Sequence, residues 1–129
     1  MVIYQQSTGE MRAAEGCALP LGTLIGVGYA GSGDGKNNPA MQDVPDIGPL
    51  PQGVYTQKPP RDEIPGLGPY VIDLEPGPEN EMYGRSLFRE HGDSASHPGK
   101  ASCGCIVLDH PERVVSYEDN PDHRLKVIA

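Results

Sequence analysis

Short apolar runs alternate along this chain with segments rich in glycine and proline, and no repeat period links them. Runs of this length, rich in β-branched residues and bounded by turn-forming residues, are typical of the strands of an all-β domain. The pattern predicts strands at Met1–Gln6, Gly22–Tyr29, Tyr70–Leu74, Leu87–His91 and Leu125–Ile128, and a further strand entered through the turn at Gly48–Tyr55. Cys105–Leu108 is also apolar and fits either a strand or the start of a short helix.

One segment, Pro111–Tyr117, favours an α-helix. Asp109 can cap this helix, which places the proline in the first turn, where its missing N–H group costs nothing. Residues 30–46 are rich in Gly, Asn, Asp and Pro, so we expect an exposed loop there. With 129 residues, the chain fits a single domain, 1–129, that can bury a core without a metal or a disulfide.

The chain carries a formal net charge of -8, which argues against a nucleic acid or an anionic membrane surface as the partner, since both require a basic face. No stretch has the length of a membrane span, and residues 1–7 lack the pattern of a signal peptide. We therefore expect synthesis in the cytoplasm and no membrane insertion. The three cysteines do not indicate a disulfide framework. Cys17 is expected to be a small core residue.

Two motifs flank a polar loop: His91-Gly92-Asp93 and Ser102-Cys103-Gly104-Cys105-Ile106. A thiol becomes a nucleophile when it loses its proton, and an imidazole within hydrogen-bond reach can accept that proton. With His91 at the end of one strand and Cys105 at the start of the next, the two side chains can meet. Gly104 permits close approach of the backbone to a substrate carbonyl, so the N–H groups of residues 103–105 can face a developing oxyanion.

Six segments of the chain, in order, carry a family resemblance: Ser7–Glu10, Gly28–Gly31, Asn38–Pro39, Gly48–Tyr55, Arg85–Asp93 and Ser102–Ile106. They resemble L,D-transpeptidases of the YkuD-like kind, and more specifically a bacterial subfamily that includes type VI secretion effectors with L,D-carboxypeptidase and L,D-transpeptidase activity. Each segment is weak alone, but together they span nearly the whole chain. One departure is Cys103, which stands where the wider family has histidine in its S-H-G-C motif, a position at which the subfamily tolerates other residues.

The resemblance implies a mainly β fold, a small β-sandwich or open barrel of the L,D-transpeptidase catalytic type with one or two short helices. It also implies that His91 deprotonates Cys105, whose thiolate attacks the L-centre carbonyl of diaminopimelate in a peptidoglycan tetrapeptide stem. Terminal D-alanine leaves, and water, a D-amino acid or a second stem resolves the thioester. No cofactor and no metal are implied. The residues implied are Cys105, His91, Gly104 and Ser102 for catalysis, and Tyr29, Arg85, Gly92, Asp93 and Cys103 for substrate binding.

Several alternatives stay open. Arg85 can neutralise a substrate carboxylate or simply pair with Asp93, and Tyr29 can line the cleft or only pack. The remaining histidines beside Pro or Asp, which are His97, His110 and His123, are expected at the surface. Two other functions are a non-catalytic peptidoglycan-binding or phage-associated domain on the same scaffold, and a metal-binding module. The ligands of that module would be Cys103, Cys105, His91 and His97.

The expected substrate lies outside the cytoplasmic membrane, whereas the N-terminus shows no signal peptide. We therefore expect delivery to the periplasm of a target cell through a type VI apparatus or a phage route. The expected partners are peptidoglycan stem peptides, a component of the secretion apparatus and, for a toxin, a cognate immunity protein. No nucleic acid is expected among them.

Overall fold

A curled β-sheet and one α-helix make up the protein, whose structure is a computed structural model that describes all 129 residues. The strands are β1 (Val2–Gln5), β2 (Glu10–Ala13), β3 (Leu24–Val27), β4 (Gly53–Gln57), β5 (Arg61–Ile64), β6 (Gly68–Pro76), β7 (Arg89–His91), β8 (Ile106–Val107) and β9 (Arg124–Ile128), and the helix is α1 (His110–Glu118). Two single turns of 3-10 helix lie at Gly33–Gly35 and Pro39–Met41. The predicted mainly β fold class is confirmed.

The strands follow the order β3-β2-β1-β9-β4-β6-β7-β8, with β5 paired to β6. The β1–β9 and β7–β8 pairs are parallel, and the other pairs are antiparallel. An isolated bridge joins Tyr29, just after β3, to Val107 of β8. The two ends of the sheet therefore approach each other, and the sheet curls into a half-barrel.

The core fills the inside of this curl. On β1 the buried side chains are Val2 and Tyr4, and on β9 they are Leu125 and Val127, the alternation expected of strands with one face inward. The same cluster includes Met11, Leu50, Tyr55, Ile72, Leu74, Phe88, Ile106 and Leu108. None of the helices has the length and apolar character needed to cross a bilayer.

The helix begins where its capping residues predict. The Asp109 N–H group donates to the Glu112 carboxylate at 3.3 Å, one half of a capping box, and Pro111 lies in the first turn. The apolar run after Cys105 forms β8, so the strand alternative for that run is correct. The strands β2 and β5 were not predicted, and the sequence of β5, Arg-Asp-Glu-Ile, has no apolar alternation.

Two other expectations need correction or refinement. Residues 30–46 are not uniformly exposed, since Ala30, Gly31 and Gly35 are buried against the segment that precedes β4. Cys17 is half-buried at the edge of the core, where its thiol donates to the Asp119 carbonyl at 3.0 Å.

Candidate active site

His91 is the last residue of β7 and is buried, with 3% of its surface exposed. Its Nδ1 lies 2.8 Å from the Gly92 carbonyl oxygen. Because a carbonyl can only accept, this contact assigns the proton to Nδ1 and leaves Nε2 with a free lone pair. Burial lowers the pKa of His91, an effect that the charges of Arg113 and Arg89 reinforce and the Gly92 contact opposes. The imidazole is therefore neutral near pH 7, the state a general base requires.

Cys105 stands immediately before β8 and is half-buried. Its thiol lies 3.8 Å from the Leu87 carbonyl oxygen. Burial raises the pKa of Cys105, and the backbone N–H group and charge of Arg89 partly offset this rise. The resting side chain is thus a protonated thiol, which needs a base to become a nucleophile.

The β7–β8 pairing sets the relation between these two side chains. The two strands are parallel with His91 opposite Val107, so Cys105 lies two register positions from His91 on the neighbouring strand. Standard strand spacings put their Cα atoms about 8 Å apart, a distance that an imidazole and a thiol can span. No hydrogen bond joins the two side chains in this structure, where the thiol faces Leu87 instead.

The turn that precedes Cys105 is organised by Ser102. The Ser102 hydroxyl is buried, accepts from the N–H groups of Gly31 and Gly104, both at 2.9 Å, and donates to the Cys105 carbonyl at 2.7 Å. All its hydrogen-bonding capacity is therefore used inside the protein. In this structure Ser102 holds the turn that positions Cys105, and its predicted part in catalysis is not tested by these contacts.

Gly104 has no room for a side chain. Its φ is +134°, and a Cβ atom there would lie 2.6 Å from Arg85 Nη2 and 2.8 Å from the Phe88 ring. Its N–H group is committed to Ser102, so it is not available to an oxyanion. The N–H groups of Cys103 and Cys105 have no acceptor in the protein. Of the three amides expected to face an oxyanion, these two remain free to do so.

Arg85 is buried beneath this turn. Its two terminal nitrogens donate to four backbone carbonyls, those of Gln42 (2.6 Å), Pro49 (2.8 Å), Gly48 (2.9 Å) and Cys103 (3.2 Å). In this structure these donors hold three loop segments together, and a substrate carboxylate as their partner stays a prediction. The alternative pairing with Asp93 does not occur, because Asp93 bonds to other groups.

Tyr29 and Asp93 close the base of the loop between His91 and Cys105. The Tyr29 hydroxyl donates to Asp93 Oδ1 at 2.6 Å and accepts from the Ala101 N–H group at 2.8 Å, while the Gly99 N–H group donates to Asp93 Oδ2 at 3.0 Å. Burial and the Asp93 contact raise the pKa of Tyr29 to about 12. Partial burial alone would raise the pKa of Asp93, but its hydrogen bonds outweigh this effect and lower it. The Tyr29 side chain is thus buried and hydrogen-bonded within the protein, and its role in binding a substrate stays a prediction.

Two basic residues that the sequence did not single out complete the site. Lys36 lies 4.1 Å from the centre of the Tyr29 ring and donates to the Gly99 carbonyl at 3.0 Å. Arg113 of α1 is buried and donates to the carbonyls of Pro69, Tyr70 and Leu108. A Cβ atom on Gly92 would lie 3.2 Å from Arg113 Nη1, so glycine permits this close packing.

Cavities lie at both ends of β7. One, of about 530 Å³, is lined by His91, Gly92, Asp93, Lys100 and Arg113, among others. The second, of about 330 Å³, is lined by the residues at the start of the strand, including Arg89. A third, of about 120 Å³, contains Arg85, Phe88 and the exposed Cys103.

The alternative metal centre is not assembled. No group of three His, Cys, Asp or Glu side chains lies close enough to hold one ion. His97 instead contacts Ser96 on the exposed loop, through its Nδ1 at 3.0 Å. His110 is exposed as expected, whereas His123 is half-buried and stacks on Tyr117 with 4.2 Å between ring centroids.

Comparison with known proteins gives one informative match. The model of the Tlde1 domain matches residues 26–128, which include α1 and every strand from β4 to β9. No curated protein and no solved structure matches the chain significantly. Because the match covers most of the chain, from β3 to the last strand, the chain belongs to the Tlde1 domain family of type VI secretion L,D-transpeptidase effectors.

Proposed function

We propose that this protein is an L,D-transpeptidase or L,D-carboxypeptidase that cleaves peptidoglycan tetrapeptide stems through a thioester on Cys105. One observation carries the proposal. His91 is buried and neutral, and its Nδ1 contacts the Gly92 carbonyl, so its Nε2 is free. His91 lies at the end of β7, and Cys105 directly precedes β8, the strand paired with β7. Family membership supports peptidoglycan as the target.

The reaction begins with transfer of the Cys105 proton to Nε2 of His91. The thiolate then attacks the carbonyl at the L-centre of diaminopimelate, and the N–H groups of Cys103 and Cys105 stabilise the oxyanion that forms. The imidazolium of His91 returns the proton to the amine of D-alanine, which leaves. The product is a thioester between Cys105 and the shortened stem.

An incoming acceptor completes the cycle. Water gives the carboxypeptidase reaction, a free D-amino acid gives exchange, and the amine of a second stem gives a cross-link. In each case His91 takes a proton from the acceptor as it attacks the thioester, and Cys105 leaves as the thiolate. The same base therefore serves both halves of the reaction.

Incubation of the protein with purified muropeptides, followed by mass spectrometry, tests this function. We expect loss of terminal D-alanine and a covalent adduct of the tripeptide stem on Cys105 in the intact-protein mass. The matched control is Cys103→Ala, which removes the neighbouring thiol and should still form the adduct. Muropeptides that bind but remain uncleaved would favour the non-catalytic binding domain.

Membership of a type VI effector family supports action in the periplasm of a target cell. We expect expression in the cytoplasm of a Gram-negative host to be harmless, and expression behind a periplasmic signal to cause swelling or lysis. Such a toxin requires an immunity protein in the producing cell. Equal harm from both forms would contradict peptidoglycan as the target, and a Cys105→Ala form with the periplasmic signal serves as the control.

A further inference from the structure

A line of side chains crosses neighbouring strands and ends at the nucleophile. Asp73 of β6 pairs directly with Arg89 of β7. The β7–β8 register places Glu90 opposite Ile106, so the preceding residues, Arg89 and Cys105, also lie opposite each other. Because residues directly opposite each other on neighbouring strands share a face of the sheet, Asp73, Arg89 and Cys105 project from the same side.

The line continues on β5 with Arg61, which forms a salt bridge with Asp73 Oδ2. Arg89 Nε donates to the other oxygen, Asp73 Oδ1, at 2.9 Å. One carboxylate thus pairs with two guanidinium groups, so the three side chains together carry a net charge of +1. This excess stands out in a chain whose formal net charge is -8. We name Arg61, Asp73 and Arg89 the cationic row.

The cationic row lines the cavity of about 330 Å³ at the start of β7. Leu87 also lines this cavity, and its carbonyl oxygen is the group that the Cys105 thiol faces at 3.8 Å. Leu87 has a φ of +65° and is 78% exposed. A non-glycine residue in this region is strained, a condition that proteins retain mainly at functional sites. The cavity thus adjoins the nucleophile through Leu87, which lines the cavity and contacts the Cys105 thiol.

The proton transfer from His91 to the leaving amine places different parts of a substrate at the two ends of β7. His91 must give its proton to the leaving amine, so the leaving group lies on the His91 side of Cys105, beside the cavity of about 530 Å³. The acyl part of the substrate must then extend the other way. The cationic row, beginning with Arg89, lies in that direction.

We propose that the cavity at the cationic row is the acyl-donor subsite, and that Arg61 and Arg89 bind the free carboxylate on the side chain of the donor's diamino acid. The proposal rests on the proposed function and adds a residue-level basis for substrate choice. Asp73 keeps both guanidinium groups in place, and the unneutralised charge attracts the carboxylate. Charge-assisted hydrogen bonds of this kind are the strong ones in protein recognition.

The test uses two synthetic tetrapeptide stems that differ only in this carboxylate, which is free in one and amidated in the other. We expect the wild-type protein to show kcat/KM roughly tenfold higher for the free acid, the usual worth of a hydrogen bond to a charged group. Arg61→Gln should bring the two stems within about threefold of each other, mainly through KM. The matched control is Arg12→Gln, an exposed arginine of β2 paired with Glu10, which should keep the wild-type preference.

Binding to the Cys105→Ala variant separates this proposal from the proposed function. Calorimetry with both stems should give the same tenfold preference, and adding Arg61→Gln should remove it. Equal affinities for the two stems, or a preference unchanged by both Arg61→Gln and Arg89→Gln, would overturn the subsite. Absence of a thioester together with a retained binding preference would instead overturn the catalytic function alone.

Discussion

The nucleophile turn before β8 and the base at the end of β7 are each built around a buried arginine, but the two arginines act differently. Burial raises the pKa of Cys105, and the positive charge of Arg85 under the turn opposes this rise, as the larger effect of Arg89 also does, so Arg85 favours the thiolate. Arg113 packs behind Gly92, and its positive charge lowers the pKa of His91, so it disfavours the imidazolium. The charge of Arg113 therefore makes the protonated His91 a stronger acid toward a leaving amine.

Both arginines also satisfy backbone carbonyls that would otherwise be buried without donors. Arg85 joins loop segments that are far apart in the sequence, whereas Arg113 ties α1 to the start of β6 and the end of β8. A hydrogen-bonded guanidinium can stay charged where a lone buried charge would be too costly. The same two arginines therefore hold the segments around the site together and contribute to the pKa values of Cys105 and His91.

The largest expected effect removes the nucleophile itself. Cys105→Ala should abolish turnover of muropeptides while the protein stays folded, because the change from thiol to methyl at a half-buried position costs little packing. Turnover is followed by mass spectrometry and folding by circular dichroism. Cys103→Ala, at the exposed cysteine two residues away, should retain at least partial activity. Wild-type turnover by Cys105→Ala would show that another residue is the nucleophile.

Removal of the base comes next. His91→Ala should lower turnover by roughly two to four powers of ten, the usual contribution of general acid–base catalysis. Labelling of Cys105 by iodoacetamide near neutral pH should slow as well, because the thiol loses its proton acceptor. Unchanged labelling together with unchanged turnover would point to another base, and His97→Ala is the first variant to examine then.

Substitutions of Arg113 and Arg85 should have different effects on the pH dependence of kcat/KM. The acid limb of kcat/KM rises as His91 loses its proton, so its midpoint in the wild-type protein should lie below the ordinary histidine value of about 6.5. Arg113→Met removes a positive charge near His91 and should move this midpoint upward. Arg85→Met leaves that charge in place and should not. A midpoint above 6.5 in the wild-type protein would contradict a buried neutral His91.

The smallest expected effect concerns the turn. Ser102→Ala removes a hydroxyl that joins Gly31, Gly104 and Cys105, and leaves their buried backbone groups without this partner. We expect the free energy of unfolding to fall by about 1–3 kcal/mol, measured by urea denaturation, and turnover to fall less than in His91→Ala. Ser86→Ala, at an exposed position near the same turn, should change neither. Loss of activity without loss of stability would assign Ser102 a direct role in the chemistry.

Local patterns predicted the helix and every strand except β2 and β5, because alternation of apolar residues and capping by Asp109 act within a few positions. The same reasoning missed β5, whose charged sequence forms a strand only because β6 offers it a partner. It also could not assign Arg85, whose four acceptors lie 18 to 43 residues away in the sequence. His91 and Cys105 were predicted as base and nucleophile from their motifs, whereas the cationic row depends on strand register, which no short motif encodes.

The strand β9 lies between β1 and β4 near the middle of the sheet. Its parallel pairing with β1 joins residues more than 120 positions apart, for example Val2 and Leu125. Contacts of such long sequence separation form late in folding, since a large loop must close first. A growing chain on the ribosome therefore cannot complete this sheet until β9, Arg124–Ile128, has emerged. A product truncated before Arg124 would lack the strand that joins the two halves of the sheet, so an incomplete chain should carry the thiol and the imidazole without a finished active site.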